Sequence, residues 1–229
     1  MTVSEALLNC ISAALDGREC ALTLAPDDWT ALLRLAGEQK LLPLVYAAVR
    51  GTPGFAAAPE AVRAAARRQT MREAAAQTVH TEAFLRLYQA LRAEGLAPVV
   101  VKGICRALYP QPELRPSSDE DLYLTAAEMP CFHAVLLRAG FVLTEPERDY
   151  RSAHEARYVH PDTGLVVEGH WALFPTEYAV YAALNVQLPD LMQRAQDWES
   201  GGVTLRVPDV CDHLIFLLLH AFKHFISSG

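Results

Sequence analysis

Long apolar runs are missing from this chain. The leucine-rich run Leu214 to Leu219 is interrupted at His220 and falls well short of the ~20 residues a membrane helix needs. The first residues carry Glu5 and no basic start, so they do not resemble a secretory signal. Excess positive charge is missing as well. With 20 basic and 27 acidic side chains the net charge is −7, which leaves no general cationic surface to condense on a phosphate backbone. Neither a long nucleic acid nor a membrane is an expected partner. Paired cysteines are absent too: Cys10, Cys20, Cys105, Cys131 and Cys211 are an odd number, far apart and without a CxxC pair. That pattern fits scattered reduced thiols in a cytoplasmic protein better than a disulfide framework. Internal repeats are lacking, and alanine bias is the main departure from ordinary complexity.

What the chain does have is apolar material: 52% of its 229 residues are hydrophobic and 21% charged. Disorder, collagen and coiled coil are excluded, and one domain or two small ones are expected. Helical spacing predicts helices over Val3 to Leu15, from Trp29 after Pro26-Asp27-Asp28, over Leu41 to Val49, and over a long alanine-rich stretch from Pro59 to Gly95. In the last of these Val79, Ala83, Leu87 and Leu91 form one apolar stripe beside Phe84 and Tyr88.

The period changes after Gly95. Ala97 to Val101 reads as a strand buried on both faces, and Ile104 to Tyr109 as a short helix. Pro110, Pro112 and Pro116 impose an irregular loop before a strand over Asp119 to Leu124. A helix over Thr125 to Ala139 ends at Gly140, and strands follow near Phe141 to Thr144, Ala156 to His160 and Leu165 to Leu173. Val203 to Val207 reads as a strand and Asp209 to Phe225 as a leucine-rich helix. The expected architecture is α+β: a helical region over 1–95, a mixed sheet with flanking helices over 96–185, and a strand and helix over 186–229. The last apolar helix is expected to pack against something further, in a longer parent protein or on a missing helical partner.

Chemistry concentrates in Lys102-Gly103 and in Arg115-Pro116-Ser117-Ser118-Asp119-Glu120-Asp121-Leu122. On a strand, Asp119 and Asp121 share a face with Cα atoms about 6–7 Å apart, a spacing at which two carboxylates can grip one divalent metal or bridge two. A solvated strand end is the plain alternative. A third carboxylate tips the balance: in Leu165-Val166-Val167-Glu168-Gly169-His170-Trp171, alternation sets Val166, Glu168 and His170 against Leu165, Val167 and Trp171. Glu168 in mid-strand needs a cation, a hydrogen-bonding partner or a raised pKa. Convergence of the three carboxylates would make metal ions the natural neutraliser.

These segments resemble a known family. Lys-Gly after a valine strand, Arg-Pro-x-x-Asp-x-Asp-Leu, a helix ending in Gly-Phe, and Val-Glu-x-His-Trp are similar to the bacterial uncharacterised nucleotidyltransferase family of the DNA polymerase β-like nucleotidyltransferase superfamily. The likeness is most specific from Val99 to Leu173, with weaker outer matches at Leu42-Pro43-Leu44 and Leu219-His220-Ala221-Phe222-Lys223-His224. It implies a nucleotidyltransferase-like α+β fold and transfer of a nucleoside monophosphate from a nucleoside triphosphate. Asp119, Asp121 and Glu168 would be the catalytic, metal-binding carboxylates for Mg²⁺, or for Mn²⁺ in its place. Lys102, Gly103, Arg115 and Ser118 would bind the nucleotide. With no basic surface, the acceptor hydroxyl would belong to a small molecule or a protein. Two positions depart from the wider superfamily: Ile104 stands where a serine usually follows the glycine, and Glu120 where an apolar residue usually separates the aspartates. A catalytically silent nucleotide-binding or regulatory module would keep most of this pattern, and a helical interaction scaffold would need none of it.

The histidines admit a separate reading. Cys211, His213, His220 and His224 have possible zinc-ligand spacing but match no closed zinc module, and helix packing with hydrogen bonding is the favoured reading of them. His154 and His160 are ambiguous between site and structure. His170 shares the face of Glu168, as a partner to the site or as a satisfied structural histidine.

Overall fold

The computed structural model describes residues 1–104, 111–146, 154–188 and 190–227. By its contacts the chain divides into two units, one of Met1–Val79 with Arg106–Ser117 and one of His80–Cys105 with Ser118–Gly229.

The first unit is helical: α1 (Val3–Leu15), α2 (Pro26–Glu38), α3 (Leu42–Val49), the short α4 (Pro53–Ala56) and the beginning of α5 (Glu60–Ala93). Local sequence starts these helices. Thr2 and Glu5 form a reciprocal cap on α1, and Pro26 with Asp27 and Asp28 opens α2. Trp29, Leu32, Val45 and Phe55 close the core, with the Trp29 and Phe55 rings edge to face at 5.2 Å. A cavity of about 620 Å³ lined by Arg50, Arg63, Arg67, Arg68 and Tyr46 belongs to this unit and contains none of the candidate residues.

The second unit takes the rest of α5 and builds β1 (Val99–Lys102), β2 (Glu120–Tyr123), α6 (Met129–Arg138), β3 (Val142–Leu143), β4 (Glu155–Val159), β5 (Val166–His170), α7 (Ala179–Asn185), α8 (Leu191–Arg194), β6 (Gln196–Ser200), β7 (Val203–Val207) and α9 (Val210–Ser227). The seven strands form one mixed sheet in the order β3-β4-β5-β2-β1-β7-β6. Strand β2 runs antiparallel to β1 and parallel to β5, and β4 runs antiparallel to β5.

Each sheet face has its own core. Val100, Leu122, Val167, Tyr158 and Leu205 pack with Phe84, Leu87 and Leu91 of α5 and with Phe132 and Leu136 of α6. On the other face Val99 and Val101 pack with Phe174, Leu188, Leu191 and Phe216 of α9. All three valines of β1 are fully buried, as a strand covered on both sides requires. The Tyr88 hydroxyl fastens β1 to β7: it donates to the Pro98 carbonyl at 2.7 Å and accepts the Arg206 N–H at 3.0 Å.

Several elements differ from the sequence expectation. Helix α6 begins at Met129 because the Glu128 carboxylate accepts both the N–H and the hydroxyl of Thr125, each at 2.7 Å, making a turn of the preceding residues. The apolar stripe of α5 starts at Ala83, since Val79 is left exposed. Strand β6 was not expected: four of its five residues are polar, and Gly201 and Gly202, both at positive φ, turn it onto β7. The short helix expected over Ile104 to Tyr109 lies, beyond Ile104, outside the described residues. Among the described residues Cys10, Cys20, Cys131 and Cys211 are free, and no helix is long and apolar enough to cross a membrane.

Candidate functional site

Register decides which polar side chains meet. Asp121 of β2 lies opposite Glu168 of β5, which lies opposite Arg157 of β4. Two residues along, Tyr123, His170 and Glu155 form the next row. Lys102, at an irregularity in the ladder between β1 and β2, pairs with Asp121 from the other side. Two carboxylates therefore stand side by side with a cation at each end of the row. The Lys102 ammonium is 2.9 Å from Asp119 Oδ1 and 3.3 Å from Asp121 Oδ2, and Arg157 Nε donates to Glu168 Oε1 at 3.1 Å.

Burial sharpens these charges. Asp121 is 2% exposed, and its Oδ1 has no hydrogen-bond partner. Burial pushes its pKa up, against the opposing pull of His170 and Lys102. Burial also acts against ionised Asp119, but Lys102 outweighs it and holds that carboxyl below its ordinary value. Lys102 shows the reciprocal effect: burial opposes its charge, and Asp121 and Asp119 raise it nonetheless. Burial works against a charged His170, yet Glu168, Asp121 and Glu155 raise its pKa.

The second row is held from behind. Glu155 Oε2 lies 3.4 Å from His170 Nδ1 and 3.2 Å from His154 Nε2. Contact with His154, helped by the charges of His170 and Lys223 and opposed by burial, holds the Glu155 carboxyl down to about 2. His220 of α9 is lowered to about 4, by burial first and then by Lys102 and Lys223.

The glycine turn after β1 has an unexpected occupant. Gly103 has φ +101°, and a Cβ there would overlap the carboxylate of Glu120, which accepts the Ile104 N–H at 2.6 Å. Strand alternation sends Glu120 to the face away from Asp121, where it is 1% exposed. Its carboxylate already sits on a backbone donor that a phosphate at this turn would use. Ser118 donates to Asp119 Oδ1 at 3.2 Å. Arg115 belongs to the first unit, and its guanidinium donates to the Pro116 carbonyl.

Asp121, Glu168 and His170 each offer one ligand atom within 4.8 Å of the others. A buried carboxylate oxygen without a hydrogen-bond partner and an imidazole nitrogen facing Glu168 are groups a cation would satisfy, so the residues present fit a divalent ion. Among the described residues no other group of three histidine, cysteine or acidic side chains gathers this closely, so Cys211, His213, His220 and His224 do not form a metal cage. His160 instead packs edge to face on Phe141. Sequence reading missed Glu155 and Arg157 as parts of the site. Their alternation with Ala156 and Tyr158 was visible, but their pairing with β5 was not.

The profile of a family described as "uncharacterised nucleotidyltransferase" matches residues 25–229. No curated protein and no solved structure matches the chain.

Proposed function

Because the chain belongs to the uncharacterised nucleotidyltransferase family, we propose that it transfers a nucleoside monophosphate from a nucleoside triphosphate to a hydroxyl of a small molecule or protein. The acceptor oxygen bonds to the α-phosphorus, the bond to the bridging oxygen of the β-phosphate breaks, pyrophosphate leaves and the hydroxyl proton is lost to solvent. The observation carrying this reading is the opposition of buried Asp121 and half-buried Glu168 across paired strands, with Asp121 Oδ1 unsatisfied. A bound divalent cation, Mg²⁺ brought with the nucleotide or Mn²⁺, would offset phosphate charge and favour ionisation of the acceptor hydroxyl.

The chain's own residues do the positioning. Asp119, Asp121 and Glu168 concentrate negative charge at one place on the sheet. Lys102, held between Asp119 and Asp121, is placed to shift its contact to a phosphate once those carboxylates are otherwise engaged. Gly103 and Ser118 flank the same place. A net charge of −7 favours a compact acceptor over a polyanion.

One observation favours a second reading. Glu120 on the Ile104 N–H competes with any phosphate for that donor, as in a nucleotide-binding module without turnover. The experiment is a screen of α-labelled nucleoside triphosphates with Mg²⁺ or Mn²⁺, offering the protein itself and hydroxyl-bearing small molecules as acceptors. Cation-dependent label transfer that disappears in Asp121→Asn is expected. Nucleotide binding with no transfer to any acceptor would replace the first reading by the second.

A further inference from the structure

We infer that His170 is a nitrogen ligand in the same metal centre as Asp121 and Glu168, and that it makes the centre select a first-row transition ion over Mg²⁺. The inference rests on the reading that this site holds a divalent cation. It adds a ligand and a metal class that the three-carboxylate pattern does not contain.

Four features carry it. His170 is 6% exposed, and its two ring nitrogens face carboxylates, Glu155 at 3.4 Å and Glu168 at 3.7 Å, without a well-formed hydrogen bond to either. Buried structural histidines normally satisfy at least one nitrogen. Its Nε2 is 3.7 Å from Glu168 Oε2, inside the roughly 3 to 4.2 Å that separates two ligands bound at about 2.1 Å to one ion. The whole trio, within 4.8 Å, needs only a small side-chain adjustment to close.

The far side of the ring is also prepared. Glu155 Oε2 lies 3.4 Å from Nδ1, in the place of the carboxylate that commonly orients a metal-bound histidine, and His154 backs Glu155 at 3.2 Å. A proton on Nδ1 facing Glu155 leaves the Nε2 lone pair toward Asp121 and Glu168. The register that sets Glu155 opposite His170 and Glu168 opposite Asp121 fixes this direction through the backbone.

Asp119 stands differently. Its carboxylate is engaged by the Lys102 ammonium and by the Ser118 hydroxyl. The donor set left for one ion is two oxygens and one imidazole nitrogen. Mg²⁺ takes oxygen ligands, whereas imidazole suits first-row transition ions such as Fe²⁺, Ni²⁺, Cu²⁺ and Zn²⁺.

The test uses the full chain stripped with a chelator and titrated with Mn²⁺, followed by electron paramagnetic resonance with Mg²⁺ as competitor. Pulsed measurements on bound Mn²⁺ should show coupling to ¹⁴N. In His170→Gln that coupling should vanish and Mn²⁺ affinity should fall by about tenfold or more. His170→Asp should restore binding through oxygen, without ¹⁴N coupling and with the preference over Mg²⁺ reduced. Should His170→Gln fail to fold, the wild-type ¹⁴N coupling and the aspartate variant still decide. Bound Mn²⁺ with no ¹⁴N coupling, or unchanged Mn²⁺ over Mg²⁺ selection in the variants, would overturn the histidine assignment and leave the carboxylate site standing. No Mn²⁺ or Mg²⁺ binding by the wild-type protein, with or without nucleoside triphosphate, would overturn both.

Discussion

Replacing Asp121 with asparagine keeps the shape of the side chain and removes one buried charge. Pairwise effects act in both directions: His170 and Lys102 favour the charge, and Asp119 and Glu168 oppose it. At an effective dielectric of about 20, attraction to Lys102 at 3.3 Å is worth roughly 5 kcal/mol and repulsion from Glu168 within 4.8 Å roughly 3.5 kcal/mol. What remains after these attractions and repulsions partly cancel is outweighed by the several kcal/mol that burying a carboxylate costs. That is why burial wins and the Asp121 pKa is raised. A group raised in the folded state adds its stability below its unfolded pKa and loses it as pH rises through the folded value, so at neutral pH ionised Asp121 weighs against the fold. In chelator, Asp121→Asn should therefore melt at the wild-type temperature or higher, by up to about 1 kcal/mol, which is roughly 2–4 °C for a chain of this size. With Mn²⁺ at a hundredfold excess over its dissociation constant, wild type should gain about 2.7 kcal/mol, or roughly 5–10 °C, and the variant little. Differential scanning calorimetry with and without the cation measures both. Equal cation-induced shifts in the two proteins, or a chelated variant melting well below wild type, would refute the reasoning.

Glu120→Leu should cost roughly 1–3 kcal/mol in urea denaturation because it strands the buried Ile104 N–H, while strengthening nucleoside triphosphate binding by removing a competing anion; unchanged stability together with unchanged nucleotide affinity would contradict both roles. Gly169→Ala should cost about 1–3 kcal/mol, since the added Cβ runs into the Phe132 ring, and a urea midpoint equal to that of wild type would show that the ring has room to move. Glu155, lowered from 4.5 to about 2, contributes stability that is present above pH 4.5 and lost as pH falls toward 2. Glu155→Gln should thus be less stable than wild type at neutral pH by at most roughly 3 kcal/mol, with the difference shrinking across that window. A difference that stays constant from pH 6 to pH 2 in acid-dependent unfolding would exclude the linkage.

The α+β class, the helices of the first unit and the strand positions around the candidate carboxylates were legible because they depend on local signals. Three valines in succession need cover on both faces, Pro26 with two aspartates starts a helix, and alternation puts Glu168 and His170 together. Strand β6 was hidden because its residues carry no apolar alternation; it is held by the Gly201-Gly202 turn and by pairing with β7. Pairing is non-local, so composition and period cannot supply it. Only the tertiary structure set Asp121 beside Glu168, brought Glu155 and Arg157 from β4 onto the same rows, and gave His170 a carboxylate at each ring nitrogen. It also sent Glu120 under the Gly103 turn, a placement that follows from strand parity once β2 is docked against β1. Sequence determined which chemistry the chain carries, because side-chain identity and local period are written residue by residue. Register and burial determined which of those groups act on one another, because distances of a few ångströms between residues tens of positions apart exist only after the sheet has formed.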